Sequence, residues 1–312
     1  MYNKENKFSW SYSRHALFQF CERAYYFNYY GSWNGWDTYA PDHTRLLYQL
    51  KKLTSKELWF ANSIRKSFTH TLNISKELNA QSFYLEFKKH IYRSLKYDLS
   101  SLLREEWKND PKCLCINEVY YQEISIRELE HWIKSELLNK LEAIQRSKII
   151  EEIINIPYSG FINSREIMSF DLFGFPVWCS PVLTWMNKGK VHFLNFNFIN
   201  EYNNLSPTTD YYRRISWAML MGLNCLFAKQ HWALGYNRII CKTLFVDNSN
   251  SYTVYGHRSP SEIENIILDS SRLMKSKLTC DEKAYLENFT GTDNKEKCQN
   301  CSFFQICTSK VI

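Results

Sequence analysis

Close to the end of the chain stand Cys298, Cys301 and Cys307, a C-x2-C-x5-C spacing. A tight C-x2-C turn aims two sulfurs the same way, so three thiolates at this spacing can converge on one inorganic centre. A fourth ligand must come from elsewhere, and Cys21 and Cys280 are the candidates. Four thiolates suit either a structural zinc ion or a [4Fe–4S] cluster. The chain has ten cysteines, and its opening MYNKENKFSW carries no apolar leader. This predicts a soluble, cytoplasmic protein, where ligation or buried thiols outrank disulfides. Cys113, Cys115, Cys179, Cys225 and Cys241 lie in apolar runs or short turns and read as core fillers.

At 312 residues the chain can bury a sizeable core, and 9 Gly with 7 Pro leave little room for long disorder. The net charge of +7 permits nucleic-acid binding without requiring it. The longest apolar run, Trp217 to Ala228, is too short to span a bilayer as a helix, so no membrane partner is expected. No 20–50-residue period repeats, which argues against a solenoid. No G-x4-G-K-[ST] signature appears either, so any ATPase work would belong to another chain.

Apolar spacing predicts helices near 11–30, 54–74 and 80–107, with a loop at 30–43. A strand is expected from Glu118 to Ile126, then one long helix from Ile126 to Ile154. Beyond Pro157 come β-like runs at Glu166–Phe173, Pro176–Trp185 and Lys190–Phe198, the last two joined at Asn187-Lys188-Gly189 as a hairpin. A helix from about Pro207 to Ala228, strands at Arg238–Val246 and Ser251–Gly256, and a helix from Ser259 to about Leu278 complete the pattern. The expected fold is α/β, with a helical N-terminal lobe over 1–125, a mixed-sheet core over 126–280 and a cysteine-bearing segment over 281–312.

Two motifs carry a family resemblance. Ser11-Tyr12-Ser13, then Cys21, then Tyr25-Tyr26-Phe27 resembles the opening of the iron–sulfur nucleases related to RecB, including the AddB-type nuclease domain and the CRISPR-associated adaptation nucleases. The C-x2-C-x5-C tail resembles the AddB pattern. The resemblance implies a PD-(D/E)XK nuclease core, a mixed sheet flanked by helices. It also implies a [4Fe–4S] cluster on Cys21, Cys298, Cys301 and Cys307, with zinc the alternative. Such a cluster would staple the chain's ends, stabilising by a few kcal/mol in the chain-entropy picture.

Active members hold a divalent metal on a His, an Asp and an Asp/Glu beside a Lys, with a Gln-x3-Tyr on the next helix. Matching each motif puts Arg65 at the His position and Val182 at the Asp position. Asn195 and Asn197 fall at the Asp/Glu-x-Lys positions, and Arg213 with Trp217 at Gln and Tyr. Hard carboxylate oxygens are what hold Mg²⁺ or Mn²⁺, and these residues supply none. The resemblance therefore implies a pseudonuclease: a DNA-binding or scaffolding subunit of a larger complex, in repair, recombination or defence. Arg65, Arg213 and Arg214 would grip phosphate, and Trp178, Trp185 and Trp217 would stack bases or fill the core. One alternative is an active nuclease with carboxylates relocated to Glu166, Asp171, Glu201 or Asp210. The other is a subunit binding protein alone, through the aromatic YYFNYYGSWNGW stretch.

Overall fold

The structure, a computed structural model, describes residues 6–74, 79–156, 161–162, 168–198, 209–246, 260–299 and 301–308. It is a mixed α/β protein. The N-terminal third runs β1 (Trp10–Ser11), α1 (Tyr12–Phe20), α2 (Glu22–Tyr26), α3 (Asp42–Lys52), β2 (Leu53–Thr54), α4 (Lys56–Ile74), α5 (Ala80–Leu103), β3 (Cys115–Ile116) and α6 (Asn117–Tyr120). The middle follows as α7 (Ile126–Gln145), α8 (Lys148–Ile154), β4 (Phe161–Ile162), β5 (Met168–Leu172), β6 (Phe175–Cys179), β7 (Leu183–Asn187) and β8 (Lys190–Asn197). Then come α9 (Thr209–Trp232), β9 (Ile239–Phe245), α10 (Pro260–Lys275), α11 (Lys295–Gln299) and α12 (Phe304–Thr308).

The main sheet has the order β4-β7-β8-β9, antiparallel up to β8 and parallel between β8 and β9, which α9 connects. Side chains on a strand alternate between faces, and here each face has its own core. Leu183, Trp185, Leu194, Phe196 and Leu244 pack with α4, α5, α7 and α8. Val191, Phe193, Ile239 and Cys241 pack with α9, α10 and the β5–β6 hairpin. That hairpin forms a second small sheet, in which β1 pairs parallel to β6 through Trp10↔Val177 and Ser11↔Trp178. The sequence gives no local sign of this pairing.

Both hairpin turns have two residues at positive φ: Phe173 and Gly174 at 55° and 79°, Lys188 and Gly189 at 49° and 71°. Such turns match the twist of the flanking strands. The expected turn at Asn187-Lys188-Gly189 is therefore in place, with β7 and β8 paired across it.

The chain departs from expectation in several described places: the helix expected near 11–30 is α1 and α2, parted at Cys21, and α3 over Asp42–Lys52 was not expected. Residues 118–126 form no strand. Glu118 is buried on α6, and its carboxylate accepts the Lys56 N–H at the start of α4 at 3.2 Å, capping that helix. A Ser125–Glu128 capping box then starts α7. The single helix expected over 126–154 is two, broken at Arg146 and Ser147. The run Pro176–Trp185 is also split, since Ser180-Pro181 separates β6 from β7 and sends them to different sheets. Proline has no N–H to give to a ladder. The strand expected at Ser251–Gly256 lies outside the described residues.

One hydrophobic cluster runs from α4 and α5 through α7 to β7, β8 and β9. Phe68 sits within it, fully buried, with ring centroids 5.5 Å from Phe83, 5.7 Å from Phe87 and 5.0 Å from Phe196. Phe68→Ala is expected to lower unfolding stability by about 3–5 kcal/mol, measured by urea denaturation. A loss below ~1 kcal/mol would mean that the helical layer and the sheet do not share this core.

A candidate thiolate site at the joined ends of the chain

The end of α1 and the tail form one cavity of about 300 Å³, lined among others by Cys21, Cys298, Cys301 and Cys307. Cys21 lies at the junction of two helices. It closes α1 with its N–H on the Leu17 carbonyl (2.9 Å), and its own carbonyl takes the Tyr25 N–H of α2 (3.0 Å). The backbone is extended there, at φ −165°. On the other side, Cys298 belongs to α11, Cys301 follows it, and Cys307 belongs to α12.

Polar ties fix the two walls together. The Arg23 N–H donates to the Thr290 carbonyl at 3.1 Å, and Thr290 returns its N–H and hydroxyl to Glu22 Oε2 at 3.1 and 2.8 Å. Lys277 Nζ reaches the same carboxylate oxygen at 2.7 Å. Burial works against that charge, but the hydrogen bonds from Lys277 and Thr290 outweigh it and hold the Glu22 carboxyl below its usual range. Lys297 Nζ donates to the Phe20 carbonyl at 3.1 Å, and the Tyr121 hydroxyl to the Ser302 carbonyl at 3.0 Å. Beneath them Phe303 and Ile306 pack with Ala24, Phe27, Leu47 and Leu50.

The thiols act on one another. Burial, and then the neighbouring Cys21, Cys307 and Cys298, push the Cys301 thiol up to about 11. Burial, Cys21, Cys307 and Asp293 push Cys298 up as well. Even so, among the described residues no three His, Cys, Asp or Glu side chains form a group able to hold a single metal ion. The four cysteines line a shared cavity without meeting at one point. Cys280, the competing ligand, is exposed and lines a different cavity beside Tyr285 and Lys283. Cys115, Cys179, Cys225 and Cys241 are buried, with Cys225 and Cys241 sulfurs 3.6 Å apart in the core, while Cys113 is half-buried.

Three of the positions matched to the nuclease metal site lie near one end of β8 but not on one face: Leu194 and Phe196 point into the core that takes Val182, so Asn195 points the other way. The Val182 N–H donates to the Leu194 carbonyl at 2.9 Å. Asn195 is buried, its backbone partners Thr243 of β9, and its amide nitrogen has no partner among the described residues. Arg65, from α4, gives Nη2 to the Phe196 carbonyl (2.8 Å) and Nη1 to Asn62 (3.0 Å), with its Cζ 5.0 Å from the Phe198 ring centre. Two of the Arg65 donors, one on each terminal nitrogen, thus serve the chain itself. Of the two roles open to Trp185, the structure gives the core one: it is fully buried, stacked on His192 at 4.9 Å. Trp178 is half-buried on β6. Asn197 pairs by backbone with Phe245. The side chains of Asn197, Asp210, Arg213, Arg214 and Trp217 lie outside the described residues, as do Glu166 and Glu201. Asp171 is exposed, next to the hairpin tip of the other sheet.

Two cavity residues had drawn no attention in the sequence, Arg23 and Lys297. Their signal was adjacency, since Arg23 stands two positions after Cys21 and Lys297 immediately before Cys298. Comparison of the chain with protein-family models, with curated proteins and with solved structures found no match. No helix among the described residues is long and apolar enough to cross a membrane.

The raised thiols fix a pH dependence. With its folded value near 11 against an ordinary 9, Cys301 favours the neutral thiol in the metal-free fold. Its contribution to stability is whole below the ordinary value and is lost as pH rises through the folded one. A thiophilic metal must displace that proton, so its apparent affinity should rise at least about tenfold per pH unit between pH 6 and 8. Cadmium titration of metal-free protein, followed by sulfur-to-metal absorption, measures this. A pH-independent affinity would mean that Cys301 is no ligand.

Proposed function

We propose that this chain is an iron–sulfur protein on a nuclease-type core whose hydrolytic site has been lost, serving as a DNA-binding or scaffolding subunit. The observation that carries the reading is the shared cavity of Cys21, Cys298, Cys301 and Cys307, drawn from opposite ends of the sequence. Thiolates suit zinc or iron–sulfur. Zinc would hold four sulfurs about 3.8 Å apart, given bonds of about 2.3 Å at tetrahedral angles. The choice of a [4Fe–4S] cluster over zinc draws on the resemblance of the C-x2-C-x5-C tail and of Cys21 to the iron–sulfur nucleases.

The nuclease-type core is supported by the element order: α7 and α8, strands β4, β7 and β8, then α9 and β9, with β9 parallel to β8. Loss of hydrolysis is supported by the residue types at the matched positions, apolar Val182 and neutral Asn195, neither of which offers an anionic oxygen. Nucleic-acid affinity is supported by the net charge of +7 and by the arginines at 213 and 214. A scaffolding role draws on the aromatic loop before α3, where Trp33 packs edge-on against Trp36 at 5.2 Å and Tyr39 is 90 % exposed.

Anaerobically purified protein is expected to be brown, with about four iron and four sulfide per chain. Cys21→Ser should lose most of the iron and several degrees of Tm, while Cys280→Ser should change neither. Colourless protein with stoichiometric zinc, or equal loss in the Cys280 variant, would sink the cluster assignment.

For the second half of the reading, labelled duplex and single-stranded DNA should bind equally well in EDTA and in magnesium. Affinity should weaken steeply between 50 and 200 mM salt, by about tenfold or more, and no cleavage should occur in Mn²⁺. Manganese-dependent cutting would point to relocated carboxylates. No affinity at low salt would leave protein as the partner.

A further inference from the structure

Within the thiolate cavity Arg23 has a placement that the ligand set does not explain. Its Nη1 lies 3.9 Å from Cys307 Sγ, the one side-chain acceptor it has among the described residues. Its Nε is inaccessible to solvent and has no partner among them. The wall opposite is closed by the segment after Thr290: a Cβ at Gly291 would stand 3.5 Å from Arg23 Cζ and Nη1, so the backbone passes against the guanidinium. The Arg23 N–H is tied to the Thr290 carbonyl at 3.1 Å, which fixes the base of the side chain. A charged group is thus held half-buried against a sulfur, with a further donor left over. A buried donor without an acceptor is costly, and charge-assisted hydrogen bonds are the stronger kind.

We propose that Arg23 would tune an inorganic centre in this cavity by donating a guanidinium N–H to the sulfur of Cys307. This inference rests on the cluster reading above and adds a residue that is not a ligand. Four thiolates on a [4Fe–4S] core in its usual state carry a net negative charge, and reduction adds one more. A donor on sulfur draws electron density away from the iron and favours the reduced form, so hydrogen bonding raises the reduction potential. Arg23 is therefore a positioning and tuning residue. Lys297 differs, because its ammonium is committed to the Phe20 carbonyl and lies 5.5 Å from the Phe20 ring centre.

The test compares wild-type protein, Arg23→Gln and Arg23→Lys, each purified anaerobically and assayed for iron and sulfide before redox titration followed by electron paramagnetic resonance. Arg23→Gln should lower the reduced-to-oxidised ratio at a fixed poise roughly tenfold, a one-electron shift of about 59 mV to lower potential. Arg23→Lys, which keeps the charge but not the fork, should fall between. If a cluster resists reduction, its sulfur-to-iron absorption band is read instead, and this should move to lower energy without the donor. If Arg23→Gln does not load, Arg23→Lys alone decides. Wild-type protein without iron and sulfide would overturn the cluster reading. Loaded variants with unchanged potential and band would overturn only the role of Arg23.

Discussion

The closure of the chain on itself at residues 20–27 and 290–307 is the contact on which the rest of the arrangement hangs. The tail helices α11 and α12 have five residues each, far below the length at which an isolated helix holds in water. Their buried apolar content is Phe303 and Ile306, little against the entropy of ordering the segment. The polar ties from Arg23, Glu22, Lys277 and Lys297 are individually modest and partly wetted. A covalent or coordinate tie through four sulfurs would supply what packing does not. It would also act on the unfolded chain, because closing a loop between residue 21 and residue 298 removes much of its freedom.

The end of β8 bears on the same question from the other side. A hydrolytic metal pocket needs carboxylates held clear of other partners, so that a cation and a water can enter. Here the matched positions are drawn into the body of the protein. Val182 packs against the larger cluster, and Arg65 is bound to Asn62 and the Phe196 carbonyl. Asn195 is buried with an amide nitrogen that no described residue satisfies. A neutral amide in that place leaves a polar cost in the fold without the charge that would hold a cation. The proposed loss of hydrolysis rests on this chemistry, while Arg65 ties α4 to the end of β8.

What could be read beforehand divides by the range of the interaction that decides it. Asn187-Lys188-Gly189 announces a two-residue turn, because positive φ is a local demand. The periodicities of α4, α5, α9 and α10 are local as well, and those helices fall where expected within a few residues, as does the start of α7. The residues at 118–126 look like a strand through their alternation, yet the deciding contact is Glu118 on the N-terminus of α4, 62 positions away. The parallel pairing of Trp10–Ser11 with Val177–Trp178 has no sequence signal at all, since two residues carry no pattern. In the cavity, the cysteines were legible by spacing. Arg23 was not, because its role depends on where the Cys307 sulfur and the Gly291 backbone arrive.

The thiol electrostatics and the tail packing together limit how this site can be assembled. Cys298 and Cys301 are both pushed up by burial and by one another's neighbours, so the metal-free fold holds them as neutral thiols. Bringing four thiolates to one cavity without a cation would set like charges together in a half-buried place, which the guanidinium of Arg23 offsets only in part. If the proposed centre is present, the deprotonated ligand set and that centre would be stable only together. On that reading the tail would dock in its final form only with the centre in place, and the two cores flanking the main sheet would form beforehand. Those cores draw on α4, α5, α7 and α8 on one face and on α9, α10 and the β5–β6 hairpin on the other, with none of the four cavity cysteines among their buried residues.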